Sequence, residues 1–310
     1  MRRPEPGRPW RVAFVGQEHY FGACSVRTPS RAIDPAFVDH RGGADAELML
    51  ARVRAYRPHV VIVFRPEIVP PGLFAGLDAL TLGWNTEPLP RAGLPSHRDL
   101  DWRLTELLET DPFNFDRLIS FEPVSAPSAE PRLRFWRSLP LPVADEVYAP
   151  LRPMGRPPRV AFVGYSTAHR ERWLIEVKHR FDVLHLVHGV TGDRLLDVFR
   201  RIDVAINLHV HEYPQFENRV ALHLAAGHLL LSEPLSPLHG LEPDVDFIEV
   251  RGPRQLEWTV EGLMLRPLAN RHAVHVRGRR KAEQFRASRV YPRLVADLAA
   301  DVATFGSPRR

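Results

Sequence analysis

The chain has 310 residues, 44% of them hydrophobic, with 42 basic side chains against 37 acidic ones, an interior large enough for two α/β domains and too regular for a disordered chain. A single cysteine, Cys24, excludes an intramolecular disulfide, and neither the charged, proline-rich start MRRPEPGRPW nor any later run resembles a signal or the ~20 apolar residues of a membrane span. The net charge of +5 is carried by arginines scattered among acids, with Lys178 and Lys281 the only lysines, so a cytoplasmic protein without a nucleic-acid partner is expected.

In chain order, Arg11 to Gly16 (RVAFVG) reads as a short apolar strand entering the loop QEHYFGACS, where Gly16, His19 and Tyr20 can approach a ligand. Gly16 and Gly22 lack the spacing of a dinucleotide fingerprint. Helical spacing over Gly43 to Tyr56 leads to a buried parallel strand, Val60 to Phe64, followed at once by Arg65 and Glu67. These two form either a surface ion pair or a ligand contact. The next strand, Ala79 to Trp84, runs into NTEPLP. Trp84, Asn85, Thr86 and Glu87 there suit a hydroxyl-rich ligand, and a proline-bounded turn explains them as well. Asp101 to Glu109 reads as an amphipathic helix and Asp116 to Phe121 as a strand. Such alternation argues for a parallel sheet with helices on both faces. Between Phe121 and Arg159 the pattern dissolves into proline, which places a domain boundary near Arg152 to Pro158.

RVAFVG then returns at Arg159, either as the opening strand of a second nucleotide-fold domain or as a chance recurrence of a common strand motif. Gly164 leads into a loop with Ser166, His169 and Arg170, and the arginine either pairs with a phosphate or lies on a solvated helix. Phe181 to Val187 is read as a strand ending in His188 and Gly189, and Thr191 to Arg201 as a helix. From Asp203 the chain reads as a buried strand, a polar loop, a helix over about Glu217 to Ala226 stopped by Gly227, an apolar strand and a short strand at Asp246 to Val250. Strand ends that meet helix starts collect anions, which singles out the loop His209 to Asn218. Pro253 to Leu265, Ala269 to Arg286 and Arg289 to Thr304 read as three final helices.

The C-terminal segments NLH (Asn207 to His209), RVALHLAAG (Arg219 to Gly227), LLLSEP from Leu229, His239-Gly240 and DFIEV resemble the group 1 and CgeB-like, spore-maturation-type glycosyltransferases. VVIVFRPE, LGWNTEP, DRLISFEP and LPLPVADEVYAP agree more loosely with the N-terminal half of that family. The resemblance implies α/β architecture with two Rossmann-like, doubly wound parallel-sheet domains, the GT-B arrangement, with C-terminal helices. It assigns residues 1–152 to an acceptor-side domain, 153–288 to a nucleotide-sugar domain and 289–310 to a helix and tail that pack back on the first domain.

That resemblance further implies a glycosyltransferase with a nucleotide-sugar donor, an acceptor that is a saccharide, small molecule or protein, no metal and no cofactor. Donor contacts fall on Gly164, Ser166, Arg170, His188, Gly189, Asn207, His209, Glu217, Asn218, Arg219 and Gly227. Acceptor-side contacts fall on Gly16, Tyr20, Arg65, Trp84, Asn85 and Thr86, and an inverting enzyme would draw its base from His19 or Glu87. His209 and His211 alternate along an extended segment and read as hydrogen-bonding groups rather than metal ligands. One position departs from the family: Leu222 stands where a glutamate is expected to hold the ribose hydroxyls, and leucine accepts no hydrogen bond. Either Glu217 takes over that contact, or it is a simple helix cap and the chain is a degenerate GT-B protein that binds a sugar, nucleotide or partner. An epimerase-like sugar-binding protein is the third reading.

Overall fold

The structure, a computed structural model, describes residues 4–43, 45–130, 132–187, 192–265 and 271–309. The chain forms two compact units, one from the residues up to Asp145 together with those from Arg286 on, the other from Glu146 to Phe285. Unit 1 runs β1 (Trp10–Gly16), α1 (Glu18–Phe21), β2 (Ile33–Asp39), α2 (Ala46–Tyr56), β3 (Val60–Phe64), β4 (Leu80–Asn85), α3 (Arg98–Leu108), β5 (Arg117–Ser120) and β6 (Arg137–Ser138). Unit 2 runs β7 (Val160–Val163), α4 (Ala168–Arg180), β8 (Val183–Leu186), α5 (Gly192–Phe199), β9 (Val204–Asn207), α6 (Asn218–Ala225), β10 (Leu229–Ser232), β11 (Ile248–Glu249), α7 (Pro253–Leu265) and α8 (His272–Lys281). A last helix, α9 (Ala287–Phe305), belongs to unit 1.

Among the described residues both sheets are parallel, in the orders β2-β1-β3-β4-β5-β6 and β8-β7-β9-β10-β11. Numbered within each unit, the first five strands therefore stand in one common order, 2-1-3-4-5. The repeated RVAFVG supplies the second position in each, and its glycines share an unusual backbone, with φ of +153° at Gly16 and +157° at Gly164. The repeat is thus an equivalence of place as well as of letters.

β3 is buried along its whole length because both faces of its sheet are covered. Val60, Ile62 and Phe64 pack with Phe14, Trp84 and the α9 residues Tyr291, Leu294 and Leu298, whereas Val61 and Val63 pack with Met49, Leu50 and Val53 of α2. Burial of each such side chain contributes about 1.5–3 kcal/mol. Tyr291 pins α9 to the sheet: its hydroxyl donates to the Cys24 carbonyl (2.6 Å), and its ring meets Phe14 edge-on at 4.8 Å. Arg117–Asp301 (2.6 Å) and Arg137–Asp297 (2.9 Å) fix the outer turns of α9.

The two units part at Asp145, a few residues before the proline-rich run Arg152 to Pro158. Tyr148 donates to the Ala282 carbonyl, Arg279 to that of Ala149, and Arg152 pairs with Asp203, so the residues just before the prolines belong to unit 2. Asp145 takes Arg286 and Ser288, which sets the second crossing point there. Sequence pattern also missed β2. It contains Pro35 and two aspartates, tolerable because β2 is a sheet edge, where a proline's absent N–H leaves no ladder bond unmade. No helix among the described residues is long and apolar enough to cross a membrane.

Unit 2 also buries two touching imidazoles, His223 of α6 and His228 before β10, with their Nδ1 atoms 3.0 Å apart. His228 Nε2 faces the Phe199 carbonyl at 2.8 Å and so donates, which leaves its Nδ1 to accept from His223; this proton placement is assigned from the network. Burial lowers the pKa of His228 to about 4, and it also pushes that of His223 well below the ordinary imidazole value. An unfolded chain takes up these protons from about pH 6.5 downward, whereas the folded chain resists until the lower value. Stability is therefore expected to be full above pH 6.5 and to drop as the pH falls toward 4, by roughly 3 kcal/mol for His228 alone. Urea denaturation at a series of pH values reads this directly, and a flat profile across that window would contradict the buried neutral pair.

Candidate active site

In a 2-1-3-4-5 sheet the connections leave strands 1 and 3 toward opposite faces, which opens a crevice at their carboxyl ends. In unit 2 that place lies between β7 and β9. Its walls are the loop from Gly164 to Thr167 and the one that begins at Leu208. Thr167 caps α4 by accepting from the Arg170 backbone N–H (3.2 Å), which turns the Arg170 side chain inward. Fully buried, this side chain ties the walls together: Nε donates to the carbonyls of Leu208 (3.0 Å) and His209 (3.2 Å), and one terminal nitrogen to that of Tyr165 (3.0 Å). The other terminal nitrogen reaches both Glu217 carboxylate oxygens at 3.3 Å. Burial lowers the Arg170 pKa to about 10, which still leaves a cation at neutral pH.

Arg219, in the first turn of α6, comes to the same spot from the opposite side. It donates to the Val163 carbonyl (2.7 Å), pairs with Glu217, and lies over the Phe162 ring at 5.7 Å. Its guanidinium fills the space left by the missing side chain of Gly164, where a Cβ would stand 2.4 Å from it. Burial, and then the charge on Arg170, push its pKa down from the ordinary value. Glu217 is the N-cap of α6, yet its side chain makes no capping bond. The carboxylate is turned inward as a counter-ion shared by two guanidiniums.

Behind this cluster, Glu233 at the end of β10 accepts from the His209 backbone N–H (2.6 Å) and pairs with His169 Nε2 (2.8 Å). His209 Nε2 faces the Pro234 carbonyl at 2.8 Å, so Nδ1 carries the lone pair, 3.9 Å from Glu217. Burial lowers the His209 pKa, which keeps the ring neutral. Asn207 donates to Ser232 Oγ at 2.8 Å, joining β9 to β10 beneath the site.

The crevice thus brings together Gly164, Arg170, His209, Glu217 and Arg219, with Asn207 and Asn218 adjoining. Arg170 is no solvated helix residue, because its donors go to backbone acceptors and one carboxylate. Ser166 is exposed and donates to Glu171 (2.6 Å). Gly227 is placed elsewhere: it stops α6 at φ +78°, a helix of eight residues or about 12 Å from the cluster, and its carbonyl accepts from His275. His188 and Gly189 lie outside the described residues. Glu233 and His169 escaped the selection of site residues, although an acid directly after the apolar run LLLS is the same signal that marked Glu67 after VVIVF.

In unit 1 the selected residues divide. Trp84 is fully buried in the core between Phe64 and Tyr291, so it offers no ligand surface, and its indole N–H has no partner among the described residues. Such an orphan costs about 1–3 kcal/mol, offset by burial of the large ring. Asn85 is buried and closes a turn with the Glu87 backbone through both side-chain atoms, at 3.1 and 3.2 Å, and Thr86 is buried beside it. The proline-bounded turn explains these two. Glu87 pairs with Arg103 at 2.9 Å. Arg65 holds Glu67 at 2.7 Å from a left-handed backbone (φ +66°), a conformation that costs a non-glycine residue about 1–2 kcal/mol. Gly83 makes room beneath: a Cβ there would stand 2.8 Å from that of Pro66. Gly16 ends β1, its carbonyl accepting from His40, and His19 and the 59%-exposed Tyr20 lie in α1 with ring centroids 3.9 Å apart.

No protein-family model and no curated protein sequence matches the chain. Solved structures do match it end to end. HepE from Anabaena, in complex with UDP and glucose, superposes with a TM-score of 0.58 over 94% of this chain and 100% of that one, at 8% identity. Sucrose-phosphate synthase from Thermosynechococcus elongatus gives 0.58 over 96% and 100% at 11% identity, and α,α-trehalose 6-phosphate synthase from Burkholderia multivorans 0.55 over 96% and 99% at 12%. The fold is GT-B. Both parallel sheets of this GT-B chain, and the helices between their strands, take part in the likeness, which at such identities concerns architecture.

The two arginines are expected to respond differently to truncation. Arg170→Ala strands three carbonyl groups in a buried place, leaves Glu217 with Arg219 alone, and should lower stability by roughly 3 kcal/mol or more. Arg219→Ala removes one carbonyl contact and its pair with Glu217, which Arg170 still holds, from a side chain that is 15% exposed, and should cost about 1–2 kcal/mol. Equal losses in chemical denaturation would overturn this division of labour.

Proposed function

We propose that the protein is a metal-independent glycosyltransferase that moves a hexose-type sugar from a nucleoside-diphosphate donor to an acceptor. The observation that carries this reading is the pair of guanidiniums, Arg170 and Arg219, converging at the N-terminus of α6 in the β7–β9 crevice. A helix start and two cations together favour a diphosphate, whose charge grows as the glycosidic bond breaks. Among the neighbours, HepE is described in complex with UDP and with UDP-glucose, and a protein from Escherichia coli as bound with UDP-2-fluoro glucose.

On this reading Arg170 is a positioning residue that fixes the loop carbonyls, and Arg219 is the phosphate contact. Arg219 holds Glu217 in the donor-free protein and exchanges it for phosphate oxygens, a swap of one charge-assisted pair for another. Glu217, released at the helix start, then faces the ribose hydroxyls in place of the carboxylate that Leu222 lacks. Neutral His209 offers its Nδ1 lone pair to a donor hydroxyl. His19 and Glu87 remain the candidates for a base in an inverting reaction, and the group 1 or CgeB-like affiliation belongs to the same proposal.

A second reading, a GT-B protein that binds a sugar, nucleotide or partner without transfer, is favoured by Leu222 and by the occupation of Arg219 by Glu217 and the Val163 carbonyl. Calorimetric titration with UDP- and GDP-sugars in the presence of EDTA tests the donor site, and release of the nucleoside diphosphate with the sugar attached to an acceptor separates transfer from binding alone. The transfer reading expects saturable binding that Arg219→Ala weakens about tenfold or more, the loss of one charged pair. Absence of binding by every nucleotide sugar would leave the second reading standing.

A further inference from the structure

Unit 1 holds a separate polar cavity of about 190 Å³ at the carboxyl ends of β3 and β4. Its lining includes Arg65, Glu67, Glu87, Trp102, Arg103 and Glu106. We infer that this cavity seats a single neutral sugar ring. Trp102, Arg103 and Glu106 recur along one face of α3, and Arg65 and Glu67 come from the strained segment after β3, so two rigid elements hold the lining side chains.

Size and chemistry both point to such an occupant. The volume is below the roughly 300 Å³ at which sites for drug-sized ligands begin, which limits the guest to about one ring. Arg65–Glu67 (2.7 Å) and Arg103–Glu87 (2.9 Å) place donors and acceptors in alternation, and a carboxylate or guanidinium in one such pair keeps further hydrogen-bonding positions. A sugar hydroxyl both donates and accepts, so vicinal hydroxyls match that alternation. Trp102 is 56% exposed on the same helix face, and an indole surface covers the C–H face of a pyranose. Three carboxylates against two guanidiniums disfavour a phosphate, and an apolar guest would leave the outward hydrogen-bonding positions of these charged groups unmet. Burial raises the Glu67 pKa, against the opposing pull of Arg65.

This inference does not rest on the transfer reading, because a GT-B protein without activity would keep the same cavity; if transfer occurs, the seated ring belongs to the acceptor. The test is saturation-transfer NMR and calorimetry on the full chain with a panel of methyl hexopyranosides, and with inorganic phosphate. At least one pyranoside is expected to bind saturably without nucleotide, to bind equally well to Arg219→Ala, and to bind about tenfold more weakly to Trp102→Ala, whose exposed side chain can be removed without loss of fold. Glu67→Gln should weaken it as well, and melting curves of both variants check that they are folded. Failure of every pyranoside to bind, binding that survives both substitutions, or displacement of the sugar by inorganic phosphate would overturn the assignment. Loss of nucleotide binding with pyranoside binding intact would instead count only against the transfer reading.

Discussion

One shared carboxylate makes the unit 2 site possible. Two guanidiniums converging in a crevice repel one another and lose hydration, a penalty of several kcal/mol for each buried ion. Backbone carbonyls from Val163, Tyr165, Leu208 and His209 offset part of that, and Glu217 supplies the only formal negative charge in contact with both arginines among the described residues. At an effective dielectric of about 20, one charge pair at 4 Å is worth about 4 kcal/mol, so a carboxylate touching two cations compensates on the scale of their burial. The inward turn of Glu217, away from a capping role worth only about 1 kcal/mol, follows from that imbalance.

What the sequence made legible was what local pattern encodes. RVAFVG, VVIVF and LLLS are runs that only a doubly covered parallel sheet accepts, and the repeat of the first announced two units of like construction. That Arg219, Glu217 and His209 come together was legible because they fall at a helix start after a buried strand. Trp84 was not, because the helix that buries it begins about 200 residues later, at Ala287, and nothing in LGWNTEP reports that cover. Nor was the bracing role of Arg170, since its partners are mostly backbone carbonyls, which every residue carries and no side-chain letter reveals.

The two units show how one strand order carries two different sets of polar side chains. Each places titratable side chains directly after its third and fourth strands: Arg65, Glu67 and Glu87 in unit 1, His209 and Glu233 in unit 2. In unit 2 the second acid, Glu233, is hydrogen-bonded to His169 and the His209 backbone, and Glu217 is the acid in direct contact with the arginine pair. In unit 1 acids outnumber the arginines around the cavity. The balance of charge at the strand ends thus differs between two units of common scaffold, and it is this balance rather than the scaffold that would select a ligand.

Leu222 completes the account of why Glu217 is turned inward. It lies three residues after Arg219 on α6, a spacing at which helical side chains are neighbours. A carboxylate there would give Arg219 a second counter-ion, and the Glu217 side chain would be free to cap the helix or meet a ligand. Leucine removes that option and leaves one acid where the family resemblance expects more. The site is consequently closed on itself: an anion entering it would have to outcompete an internal carboxylate for Arg219, and its affinity would be reduced by the stability of the pair it displaces.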